Sequence, residues 1–159
     1  MSAAVLTTYL NDHLAGSVAA LELLDHLITL KPGDGHEQLR TLRVEIEEDQ
    51  QVLQQLLRRL GEKESQVRKA AAWLTEKLGR AKLRFDDPGD GNLQFLEALE
   101  ALGLGIQGKL SLWRALATVT GKVPQLGTMD FQGLEQRAVD QFERVDALRL
   151  GAARAALAS

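Results

Sequence analysis

Apolar residues recur along this chain at intervals of three and four, the spacing of one helix face, and no segment holds the interval of two that a strand requires. Four long stretches carry the pattern. From Ser2 to Leu30 it runs through Leu6, Leu10, Leu14, Val18, Leu21, Leu24 and Ile28, and from His36 to Leu60 through Leu39, Leu42, Ile46, Leu53, Leu56 and Leu60. A third, Leu93 to Thr120, repeats Leu96, Leu99, Ile106, Leu110, Trp113 and Leu116. A fourth, Asp130 to Leu157, repeats Phe131, Leu134, Ala138, Phe142, Val145, Leu148 and Ala152. A shorter pattern covers Ser65 to Leu83, with Trp73 and Leu74 on its apolar side and Arg68, Lys69, Lys77, Arg80, Lys82 and Arg84 making a basic face.

Breakers separate these stretches. Lys31 to Gly35 is a turn, Gly61 a helix stop, Asp86 to Asn92 a loop, and Gly121 to Gly127, with Pro124, another. Asp34 followed by Glu37 reads as a capping box for the second helix, and Asp90 or Asn92 as a cap for the third. Helices of this length are about 40 Å long at ~1.5 Å per residue. Apolar on one stripe only, they must pack together. Short links make antiparallel hairpins of helices one and two and of three and four, and the segment 62–91 joins the hairpins. The expectation is one all-α domain over 1–159: a four-helix bundle with one long crossover carrying a short extra helix.

Composition agrees. Leucine supplies 30 residues and alanine 20, against 12 valines and isoleucines together, which favours helix over sheet. The absence of cysteine excludes disulfides, thiolate metal sites and a cysteine nucleophile. A net charge of −3 argues against a dedicated nucleic-acid binder. No uninterrupted apolar run reaches the ~20 residues of a membrane span. Met1 to Leu14 lacks a basic leader and carries Asp12 and His13, so no signal peptide is expected and the cytoplasm is the expected location.

The second helix, Leu42-Arg-Val-Glu-Ile-Glu-Glu-Asp-Gln-Gln-Val-Leu53 followed by Leu56 to Gly61, resembles the ferritin-like helix that carries a Glu-x-x-His ligand motif. The first helix, Tyr9 to Leu14 and Glu22 to Leu27, is similar to the first bundle helix of small bacterial ferritin-like proteins of unknown function. The resemblance spans all four long helices in layout and implies a ferritin-like up-down bundle. It also implies a di-iron site with a Glu from each of two helices and Glu-x-x-His from each of the others, because residues i and i+3 share one helix face.

This chain departs from that set. Glu47 is followed three residues on by Gln50 where histidine belongs, and an amide is a poor stand-in for imidazole. The fourth helix offers Glu135, Asp140, Glu143 and Asp146 but no histidine, since the three histidines are at 13, 26 and 36. Folding the first hairpin about residue 33 sets Glu22 beside Val44 and Glu45. Folding the second about residue 125 sets Glu97 and Glu100 against Leu150 to Ala153. The middle of helix three holds Gly103, Gly105, Gln107 and Gly108 in place of a carboxylate. The reading is therefore a ferritin-like protein with a degenerate site, no catalytic or cofactor residues, and solvated carboxylates. The other reading is a divergent di-metal protein binding iron or manganese, whose ligands would come from Glu22, Glu45, Glu47, Gln50, Glu100 and Glu143. Gln50, between Ile46 and Leu53, is expected to face inward as a hydrogen-bonded amide near His13, Glu22 and Glu47.

Three look-alikes carry less. Gly103-Leu-Gly-Ile-Gln-Gly-Lys109 matches a phosphate loop in letters, but it follows a helical pattern and Leu110 stands where Ser or Thr would bind magnesium. Asp86 to Glu97 has the length of a calcium loop, with Pro88 at a ligand position. The basic face of 65–84 fits an anionic partner or, more simply, a solvated helix face. Close helix approach at Gly103, Gly105, Gly108, Gly151, Ala152, Ala155 and Ala156 suits a homodimer, so self-association or protein-partner binding is the expected mode of action, without nucleic acid.

Overall fold

The computed structural model describes residues 2–30, 33, 35–63, 69, 72, 76 and 91–158. Four long helices account for most of them: α1 (Ser2–Leu30), α2 (His36–Arg59), α3 (Asn92–Val119) and α4 (Phe131–Leu157), with a 3₁₀ turn at Pro124–Leu126. There is no strand among the described residues. The four helical stretches read from the sequence fall within a residue or so of these bounds. Of the expected crossover helix, Lys69, Ala72 and Glu76 are described, each helical and exposed. Its remainder, including Trp73, and the loop positions Asp86 to Asp90 lie outside the described residues.

Glycine holds the N-cap position of both α2 and α3, and Asp34 and Asp90 lie outside the described residues. The residue before α2 is Gly35 at φ +97° and the residue before α3 is Gly91 at φ +85°, and neither glycine offers a side chain to cap its helix. The turns enter these helices through the left-handed region, which glycine occupies without strain. Asn92 is instead the first residue of α3. The start of α4 has a side-chain cap: Asp130 accepts a hydrogen bond from the Gly133 amide at 3.0 Å.

Cross-helix contacts give the directions. Arg43 on Asp25 (2.5 Å) and Gln50 on Ser17 (3.0 Å) make α1 and α2 antiparallel. Arg149 near Glu100 (3.7 Å) and Arg114 near Glu135 (3.3 Å) do the same for α3 and α4. The side chains of Gln94 and His26 approach to 3.4 Å while Lys109 shares a cavity with His13, so α3 runs against α1 and parallel to α2. The chain therefore leaves α2 at one end of the bundle and enters α3 at the other. The segment between them has to span the bundle length, about 36–42 Å for helices of 24 to 28 residues at ~1.5 Å each.

Two apolar cores fill the bundle. One holds Leu10, Leu14, Leu53, Leu56, Leu57, Leu112, Trp113, Leu116 and Phe131. The other holds Leu24, Leu27, Leu39, Leu42, Ile46, Phe95, Leu99, Leu102, Ile106 and Val145. Each helix passes from one core to the other at mid-length, near Ser17, Asp49, Lys109 and Gln141. Over Ala3–Leu30 α1 is long and apolar enough to cross a membrane by length and composition alone, as core helices of a bundle often are. Here its apolar stripe packs on α2 and α3.

Glycine at 35 is favoured by its backbone, and a side chain there would also press on the tip of Leu148. Its φ is positive, and a Cβ there would stand 2.9 Å from Leu148 Cδ2. Gly35→Ala is expected to lower stability by about 1–2 kcal/mol in urea denaturation. Gly151→Ala, inside α4 with no atom within 4 Å of the added carbon, is expected to raise it by about 0.5–1 kcal/mol.

Candidate functional site

The boundary between the two cores is polar. Asp49 on α2 is 3% exposed and Gln141 on α4 is fully buried, and they are the only buried polar or charged residues among those described. Lys109 of α3 reaches between them. Its Nζ donates to Asp49 Oδ2 at 2.5 Å and to Gln141 Oε1. The Gln141 amide donates in turn to Asp49 Oδ2 and Glu45 Oε2, both at 3.2 Å. Both ends of that amide are thereby used, which fixes its orientation.

Two arginines of α4 close the layer toward solvent. Arg137 donates to the Glu45 carbonyl (2.7 Å) and to Glu48 Oε2 (2.6 Å), with its Nε 3.3 Å from Asp49 Oδ1. Arg144 donates to Glu45 Oε2 at 2.5 Å. Glu45, Glu48 and Asp49 thus meet Lys109, Arg137 and Arg144, and the charges cancel inside the layer. Burial pulls the Lys109 ammonium below the usual lysine range, and Asp49 opposes that shift. Burial alone would raise the Glu45 carboxyl. The hydrogen bonds from Arg144 and Gln141, with the two guanidinium charges, outweigh burial and bring it down.

On the α1 side the layer borders a cavity of about 50 Å³, lined by His13, Ser17, Asp49, Gln50 and Lys109 among apolar walls such as Ile46, Leu53 and Ile106. Gly16 and Gly105 also line it, both exposed and with no atom within 4 Å of a built Cβ. At roughly 10–15 Å³ per water, this is room for about three or four. Burial lowers the His13 pKa, and Asp12 opposes it.

The residues named from the sequence do not come together. Glu45 is in the layer, but Glu47 pairs with Arg43 on the outside (3.1 Å). Glu100 lies near Arg149, Glu143 is exposed on α4, and Glu22 is half-buried on α1. Gln50 is half-buried at the α1–α2 seam, bonded to Ser17, and the inward residue between Ile46 and Leu53 is Asp49. Among the described residues no three of His, Asp or Glu are grouped to hold a metal ion. The layer does not fit a di-iron centre: its two innermost carboxylates already face three fixed cations, and a divalent ion there would meet ammonium and guanidinium charge at contact range. Gly103 to Lys109, the phosphate-loop look-alike, lies inside α3 with no loop. Gly103 admits the Phe142 ring, 3.5 Å from where its Cβ would be, whereas Gly105, Gly108 and Gly151 have no neighbour that close.

The sequence reading missed Lys109, Asp49, Gln141, Arg137 and Arg144. A signal was present in the alternation of three and four: Leu39, Leu42, Ile46, Asp49, Leu53, Leu56 on α2; Leu99, Leu102, Ile106, Lys109, Trp113, Leu116 on α3; and Leu134, Ala138, Gln141, Val145, Leu148 on α4. Each stripe is broken once, at the same depth. No protein-family model, curated protein or solved structure matches the chain.

Lys109→Met is expected to cost about 3 kcal/mol in urea denaturation, because it strands the Asp49 carboxylate in the core. Adding Asp49→Leu to it should recover most of that loss. Below pH 4.5 the unfolded chain binds protons that folded Glu45 refuses, so stability falls as pH drops through the lowered Glu45 pKa. Glu45→Gln should flatten the urea midpoint between pH 5 and 3, relative to the parent.

Proposed function

We propose that this chain is a ferritin-like four-helix bundle in which a lysine ammonium stands where that family holds metal. It acts as a non-enzymatic binding or self-associating protein. The observation that carries the reading is Lys109 Nζ held by Asp49 and Gln141 at mid-bundle, with Arg137 and Arg144 on the remaining carboxylates. Three fixed positive charges satisfy the acidic groups that would otherwise attract a cation, and they need no exogenous ligand. The helix directions and the long connection between α2 and α3 support the ferritin-like part, since that arrangement has one long crossover. A catalytic role for the layer itself is disfavoured because each of its acids is already bonded to a base.

Metal analysis of protein expressed without a histidine tag, before and after incubation with Fe(II) or Mn(II), tests this. The expected result is well under one ion per chain and an unchanged Tm. Stoichiometric iron or manganese with a raised Tm would overturn the reading in favour of a di-metal protein.

A further inference from the structure

The outer face of α3 differs from the rest of the surface. Between Glu100 and Arg114 its exposed residues are Ala101, Leu104, Gly105, Gln107 and Ser111, with no charge among them. Its one charged side chain in that stretch, Lys109, points into the bundle. Leu104 stands 75% exposed, the most exposed large apolar side chain among the described residues. Beside it a surface groove of about 460 Å³ follows the α3–α4 seam, floored by Leu99, Gly103, Phe142 and Val145 and edged by Glu100, Gln107 and Arg149. A projecting leucine next to a glycine-floored groove is a knob and a hole on one patch.

We infer that this face is a two-fold interface with a second copy of the chain, α3 packing antiparallel on α3. Glu100, Gly103, Leu104 and Gln107 lie at i, i+3, i+4 and i+7 on one helix face. An axis between positions 103 and 104 therefore brings Leu104 of each copy against the α3–α4 groove of the other, where the Phe142 ring covers Gly103. The same axis sets the Glu100 carboxylate opposite the Gln107 amide, an acceptor against a donor, on both sides. An isologous interface requires this self-complementarity, and an unrelated partner would not. The groove edge carries both signs, with Arg149 bound to Asp146 (2.8 Å) and near Glu100 (3.7 Å), so pairing the patch with itself brings no like-charge block into contact. The inference rests on the reading of the chain as a self-associating bundle and names the surface.

Sedimentation velocity from about 1 to 300 µM reads the monomer–dimer equilibrium. The parent is expected to dimerise within that range. Leu104→Asp should weaken association by about tenfold or more with an unchanged Tm, since the side chain is exposed in one copy. Gln55→Asp, on the exposed face of α2, should leave association intact. Because the chain has no cysteine, Leu104→Cys gives a single thiol. A short bismaleimide should join two such chains efficiently and two Gln55→Cys chains poorly. A dimer insensitive to Leu104→Asp overturns this surface while leaving self-association standing. A monomer at every concentration overturns the inference and the self-associating reading together, and neither outcome touches the metal assay.

Discussion

The Lys109–Asp49 ion pair is the constraint around which this bundle is organised. Two charges removed from water cost several kcal/mol each unless their partners are complete. Here the ammonium has a carboxylate and an amide oxygen, and the carboxylate has the ammonium, the Gln141 amide and the charge of the Arg137 guanidinium 3.3 Å away. That set of bonds can form only when α2, α3 and α4 stand at one height. An apolar core alone is more permissive, since leucines three or four residues apart fill similar space after a one-turn slip. A slip here would leave a buried charge without its partner. The polar layer therefore contributes register more than it contributes free energy.

That layer also explains why the cores on either side can be so plain. Leucine dominates both, with Trp113 and Phe131 in one and Phe95 in the other as the large aromatic residues. Uniform leucine cores pack well but specify little. The polar plane supplies the missing specificity in the way a buried polar residue fixes the register of a coiled coil, at a cost in stability.

Much of the fold was legible because it rests on periodicity, which sequence displays directly. Helix bounds, the hairpins and the long connection all follow from where apolar stripes begin and end. Helix starts were less legible: Asp34 and Asn92 are good capping residues, yet the turns enter through Gly35 and Gly91, whose left-handed backbone is a property of the turn. The site was harder still. Gln50 and Asp49 both satisfy a spacing of three and four between Ile46 and Leu53, and only the neighbouring helices decide which faces inward. Lys109 enters the sequence reading only as the end of a phosphate-loop look-alike, since lysine is seldom buried and its partner is 60 residues away in the chain. Long-range electrostatic pairing leaves no local mark, but three stripes broken at one depth form a joint signal that a single stripe does not.

The charges of the layer are not shared evenly between the hairpins. Every acid in it, Glu45, Glu48 and Asp49, belongs to the α1–α2 hairpin, and every base, Lys109, Arg137 and Arg144, to the α3–α4 hairpin. Each half of the molecule is thus the counter-ion of the other. Two copies of the first hairpin brought face to face would set six carboxylates against one another, and two copies of the second would set six cations. The polar plane thereby discriminates between like and complementary halves during folding, and it disfavours any pairing of a hairpin with its own kind.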